Sequence, residues 1–114
     1  MRLTIIVALI ALISGCATMK GGASTKKVAF IQTNAQCGEC KERLEGVLNF
    51  TSGIIYSDLN LDDKKIEVKY NTKKISLAEI KTIISEIGYN ADEIKAVETA
   101  QNKLPTCCQP GGHD

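Results

Sequence analysis

Apolar residues recur along this chain with two different periods, and the order of those periods predicts its folded elements. Residues 27–33 are a short run rich in strand formers (Val28, Phe30, Ile31) and predict a first strand. Asn34-Ala35-Gln36 forms a loop. From Cys40 onward Leu44, Val47 and Leu48 recur at helical spacing, while Lys41, Glu42, Arg43 and Glu45 face away from them. Thr51-Ser52-Gly53 ends that helix, with glycine as the stop. Ile55, Ser57, Leu59 and Leu61 then alternate with Tyr56, Asp58 and Asn60. After an Asp62-Asp63-Lys64 turn, Ile66, Val68 and Tyr70 alternate with Glu67 and Lys69. Two half-buried strands joined by a short polar turn make a hairpin.

A capping box, Ser76-Leu77-Ala78-Glu79, opens a second helix whose apolar face is Leu77, Ile80, Ile83, Ile84 and Ile87. Gly88 closes it. Residues 89–97 carry a weaker pattern, taken as a short fourth strand, and 98–104 suit a helical turn or a linker. The predicted order is β-α-β-β-α-β. That split repeat places two helices on one face of a four-stranded antiparallel sheet, an α+β sandwich of ferredoxin-like type.

The chain ends differ in character from this domain. Arg2 is followed by an apolar run from Ile5 to Ile13, too short for an ordinary membrane span and suited to a secretory signal. Ile13-Ser14-Gly15-Cys16 resembles the bacterial lipoprotein signal, which implies cleavage before Cys16, lipidation of Cys16 and a location on a bacterial membrane facing the periplasm or exterior. The expected organisation is a signal at 1–15, a lipidated Cys16 with a Gly-containing tether to 26, a domain at 27–97 and a tail at 98–114. Charge is balanced, 14 basic residues including Arg2 against 13 acidic, and tryptophan is absent. Neither a polyanion-binding surface nor a base-stacking platform is indicated, so nucleic acid is not an expected partner.

With Cys16 set aside, four cysteines remain: Cys37, Cys40, Cys107 and Cys108. Disulfides are the ordinary expectation in an exported protein, yet a C-x-x-C pair and a vicinal pair close tiny loops and remove little chain entropy. Reactivity is the better reading. Cys37-Gly38-Glu39-Cys40 sits where the first strand ends and the first helix begins. An exposed turn there favours thiolates through the helix dipole. Two thiolates select soft ions such as Cu(I) and Hg(II), whereas a structural zinc wants four ligands. An under-coordinated ion also passes on easily, because an incoming thiolate adds before a resident one leaves. The same pair suits a thiol-disulfide oxidoreductase, the second hypothesis, although the fold pattern is not thioredoxin-like. No constellation for hydrolytic or nucleophilic catalysis exists, and the chain is not expected to be an enzyme.

The C-terminal Cys107, Cys108 and His113, near Gly111-Gly112, leave several readings open. They suit a second metal site, extra sulfur ligands folded back on Cys37 and Cys40, a disulfide gate, or an incidental tail.

With this element order and a C-x-x-C in the first strand-helix loop, the chain resembles the heavy-metal-associated domain family over residues 27–97. The resemblance rests on Cys37 and Cys40, the Leu44-Glu45 and Leu48 spacing, Gly53-Ile54, the strand ending Glu67-Val68-Lys69-Tyr70, and Ile87-Gly88-Tyr89. It implies metal capture, trafficking or resistance, with a metal-transporting ATPase or an efflux or uptake protein as partner. It also implies that Tyr89 lies beside the metal loop, either capping the site or simply packing. The family's Gly-Met-Thr before the first cysteine is replaced by Asn34-Ala35-Gln36, which suggests a looser loop with more exposed thiols. No acidic residue stands at 34–36 and Glu39 is expected to face solvent, which favours Cu(I) or Hg(II) over zinc. Lys41 either lowers the thiol pKa or is merely solvated.

Overall fold

The structure, a computed structural model, describes residues 25–110, so Cys16, His113 and nearly all of the expected signal and tether lie outside it. Strands β1 (Lys26–Gln32), β2 (Ile54–Leu59) and β3 (Lys65–Asn71) form an antiparallel sheet in the order β1-β3-β2. Helices α1 (Gly38–Leu48) and α2 (Leu77–Ile87) bring their apolar faces to it. Ile31, Ile66, Val68 and Tyr70 from the sheet meet Leu44, Leu48, Ile80 and Ile84 in one core. The spacing of Cys40, Leu44 and Leu48 in steps of four puts all three on the buried stripe of α1. Among the described residues, no helix is long and apolar enough to cross a membrane.

Helix α2 starts as its capping box predicts: the Ser76 hydroxyl accepts from the Glu79 amide at 3.1 Å. It ends at Gly88, whose φ of +122° few other residues adopt. In β2 the expected alternation holds at Ser57 and Leu59 and fails at Ile55. A register shift between Ile54 and Tyr56 turns Ile54 into the core and Ile55 outward, and Leu61, beyond the strand, is exposed as well.

The expected fourth strand is absent among the described residues. The chain meets the end of β1 only at Gln32, where the Asp92 amide donates to the Gln32 carbonyl at 2.9 Å and the Gln32 amide donates to Asp92 Oδ1 at 2.8 Å. Asp92 then takes φ +52° and the chain turns away, leaving a lone bridge between Ala91 and Ile94. Side chains supply the reason. The Asn90 carboxamide oxygen accepts from the Ala96 amide, the Ser85 hydroxyl donates to the Lys95 carbonyl, and Lys81 pairs with both Asp92 and Glu93. These bonds satisfy the segment locally, in competition with a sheet ladder. The diversion has a consequence for the tail. A fourth strand running beside β1 would carry the chain away from the end of the sheet that bears the Cys37–Cys40 loop. Instead, a short helix α3 (Glu98–Asn102) and a 3₁₀ turn (Thr106–Cys108) lead back to it. Leu104 is seated against Gly88 on the way; a Cβ at position 88 would lie 3.0 Å from its Cδ1.

Candidate metal centre

The loop from β1 to α1 is tied down at several points. The Thr33 hydroxyl donates to the Lys64 carbonyl at 2.7 Å and accepts from the Ala35 amide at 3.1 Å. Asn34 Oδ1 accepts from the Asn90 amide at 2.9 Å, which links the loop to the end of α2. Ala35 is fully buried, so the expected looser loop is not found: a small side chain closes the core here.

Cys37 is the N-cap of α1, with extended φ −146° and ψ 170° and no side-chain capping bond. Its sulfur faces other sulfurs. Cys37 Sγ lies 3.2 Å from Cys40 Sγ, 3.3 Å from Cys107 Sγ and 3.7 Å from Cys108 Sγ. Cys107 and Cys108 are 3.8 Å apart, and none of the four cysteines is joined in a disulfide. The sulfurs of Cys37, Cys40 and Cys108 lie within 4.8 Å of one another. The tail thus lies folded back on the motif, the placement that the extra-ligand and the disulfide readings of it both call for. The Gln36 side chain holds the tail there, donating to the Gln109 carbonyl at 2.6 Å, while Gln109 Nε2 donates to the Leu104 carbonyl at 2.7 Å.

The thiols are not the exposed pair that the motif suggested. Cys37 is half-buried, and Cys40 and Cys108 are buried. Burial outweighs the helix dipole at Cys40: desolvation pushes its thiol up from 9.0 to about 11, so it is protonated at neutral pH. Glu39 does not simply face solvent either. Its carboxylate accepts from Cys107 Sγ at 3.0 Å, and that negative neighbour, with Cys37 behind it, holds the Cys107 thiol well above its ordinary range. Lys41 fits neither of its two readings. Its ammonium donates to Glu45, to Asp58 at 2.8 Å and to the Leu59 carbonyl at 3.0 Å, so it fastens α1 to β2.

Tyr89 is completely buried, next to Asn90 whose amide is bonded to the loop. Its hydroxyl forms no hydrogen bond of acceptable geometry with any described residue. Burial, then the adjoining Cys108 and Cys40 sulfurs, push the phenol upward, so it remains a proton donor aimed at the sulfur cluster. A buried hydroxyl without a full partner costs about 1–3 kcal/mol. The site thus contains a donor that thiolates would satisfy better than thiols do. Neither the Glu39–Cys107 contact nor the Gln36–Gln109 tie was foreseen. The only signal for the first was an acid inside the motif, and for the second there was none.

The heavy-metal-associated domain profile matches residues 30–90. The copper chaperone CopZ of Staphylococcus aureus (strain JH9) is 33% identical over 54 residues, which cover 47% of this chain and 79% of that protein. In the solved N-terminal domain of a potential copper-translocating P-type ATPase from Bacillus subtilis, in its Cu(I)-loaded state, identity is 25% and the TM-score 0.56. That match covers 59% of this chain and 85% of the ATPase domain. Oxidized MerP from Ralstonia metallidurans CH34 shares the fold at TM-score 0.56 and 13% identity, over 59% of this chain and 94% of that one.

Proposed function

The chain belongs to the heavy-metal-associated domain family, and on that footing we propose that it captures a soft metal ion between Cys37 and Cys40 and passes it on as cargo. The observation that carries this reading is a pair of sulfurs 3.2 Å apart and not joined in a disulfide, one at the N-cap of α1 and one in its first turn. Cu(I) is the favoured ion. Relatives bear copper in their names, soft thiolates select it, and residues 34–36 offer no hard carboxylate. Hg(II) is the second choice, and zinc the least favoured.

Binding replaces thiol protons with the ion, and release is thiolate exchange: a partner's sulfur joins the ion before a resident sulfur leaves. The natural acceptor is another thiol-bearing metal handler, such as a metal-transporting ATPase or an efflux or uptake protein. Cys16 as a lipidated residue, with a short tether after it, would hold the domain at the surface of a bacterial membrane, facing the periplasm or exterior. Labelling of cells with a tagged fatty acid should mark the chain and fail to mark Cys16→Ala; equal labelling of both would remove the anchor from this account.

The function is tested by anaerobic titration of the reduced full chain with Cu(I) against a competing chelator, beside Cys37→Ser/Cys40→Ser. One ion per chain, with binding abolished in the double variant, is expected. If Cu(I) and Hg(II) bind no better than to a small dithiol, and Cys37 and Cys40 instead exchange disulfides with other proteins, the chain is a redox protein.

A further inference from the structure

We propose that the cargo is held by three thiolates, those of Cys37, Cys40 and the tail's Cys108, so that the C-terminal segment is a working part of the metal site. The inference rests on the reading of Cys37 and Cys40 as the binding pair and adds what the tail does there.

The sulfur spacing suits three ligands. With metal–sulfur bonds of about 2.3 Å, two sulfurs bound linearly stand about 4.6 Å apart, and three in a trigonal plane about 4.0 Å apart. Cys37 lies 3.2 Å from Cys40 and 3.7 Å from Cys108, and all three sulfurs fall within 4.8 Å of one another. Shifts of less than about 1 Å bring that triangle to trigonal spacing. A linear pair requires Cys37 and Cys40 to separate by about 1.4 Å.

Second, burial points the same way. Cys108 is 2% exposed, Leu104 7%, and no other residue of segment 98–110 is buried to that degree. The tail therefore spends its limited packing on one leucine against Gly88 and one cysteine against the motif. Third, the Tyr89 hydroxyl is fully buried with no well-formed hydrogen bond and only weak sulfur acceptors beside it, those of Cys40 and Cys108, two of the three. A thiolate on either sulfur gives it the strong acceptor it lacks. Cys107 plays another part. It is half-buried and donates to Glu39, 3.0 Å away at the rim, where it suits first contact with an arriving ion or an incoming partner.

On loading, each of the three thiols loses its proton to solvent and the ion keeps its oxidation state. The Tyr89 hydroxyl and the free N–H groups at the start of α1 offset the resulting negative charge. Such a site retains its ion better than an open pair. Delivery begins when a partner's thiolate takes the place of Cys108, the ligand on the terminal segment.

The test is X-ray absorption on the reduced full chain carrying one equivalent of Cu(I), read together with chelator competition. Three sulfur neighbours are expected for the wild type and for Cys107→Ser, and two for Cys108→Ser. Loss of an outer partner of a metal ligand costs on the order of 10–100-fold in affinity, so Cys108→Ser should weaken Cu(I) binding at least about tenfold. Two sulfur neighbours in the wild type, or unchanged affinity in Cys108→Ser, would overturn the proposal. The wild-type count decides even if the substitution loosens the tail. Binding lost in Cys37→Ser/Cys40→Ser but unaltered in Cys108→Ser defeats only the third ligand. Full binding by Cys37→Ser/Cys40→Ser defeats the underlying function as well.

Discussion

Replacing Tyr89 by phenylalanine should move the empty and the loaded protein in opposite directions. In the empty form the hydroxyl is buried with only weak sulfur acceptors beside it, and an unsatisfied buried group costs about 1–3 kcal/mol. The neighbouring sulfurs, being weak acceptors, recover part of that. Tyr89→Phe keeps the ring in its place in the core and should therefore stabilise the reduced, metal-free chain by about 1 kcal/mol. For a domain of this size that corresponds to a rise in Tm of roughly 4–8 °C. In the loaded form the hydroxyl donates to a thiolate, and hydrogen bonds to charged groups contribute about 1.5–3 kcal/mol. At about 1.36 kcal/mol per factor of ten, Cu(I) affinity should fall on the order of 10–100-fold. Urea melts of the empty chain and chelator competition for Cu(I) read the two effects separately. A variant less stable when empty and unchanged in affinity would show that Tyr89 only packs, and would refute the reasoning.

Three further outcomes follow from the same geometry. Gly88→Ala should cost roughly 1–3 kcal/mol, because φ is +122° and the added Cβ meets Leu104 and the Ala100 carbonyl at 3.0–3.2 Å; an unchanged urea midpoint would contradict it. Cys40 titrates higher in the folded than in the unfolded chain, so its contribution to stability is complete below pH 9 and is lost as pH rises toward about 11. The wild type should lose more stability across that window than Cys40→Ala, whereas equal losses would place the desolvated thiol elsewhere. Glu39→Gln removes the carboxylate that raises the Cys107 thiol, so Cys107 should alkylate faster at mildly alkaline pH. No change in rate would separate Glu39 from Cys107 in solution.

Most of the fold was legible because hydrophobic period and punctuation agreed. Ser76 with Glu79, then Gly88, marked both ends of α2, and Ile66, Val68 and Tyr70 marked the core face of β3. Legibility failed where side-chain bonds or local backbone geometry override the period. Ile54 and Ile55 are equivalent to any alternating pattern, and only the bulge decides which one is buried. Residues 89–97 have enough apolar character for a strand, but Asn90, Asp92 and Ser85 bind the backbone locally and divert it. At the candidate site, the C-x-x-C spacing singled out Cys37 and Cys40. It could not reveal that Cys40 belongs to the buried stripe of α1, although its step of four from Leu44 carried that information. Cys107 and Cys108 were conspicuous in the sequence. Their contact with Cys37 and Cys40 was only one of several open readings, because the tail reaches the motif through the lost strand, and no local pattern records a contact between positions seventy residues apart.

The central claim, that this domain carries a soft ion on Cys37 and Cys40, meets its most direct test in anaerobic native mass spectrometry. The reduced full chain would be offered equal amounts of Cu(I), Hg(II) and Zn(II). One Cu(I) or Hg(II) per wild-type chain, no zinc, and no ion on Cys37→Ser/Cys40→Ser are expected. Zinc retained in preference to the soft ions, or an equal load on the double variant, would contradict it.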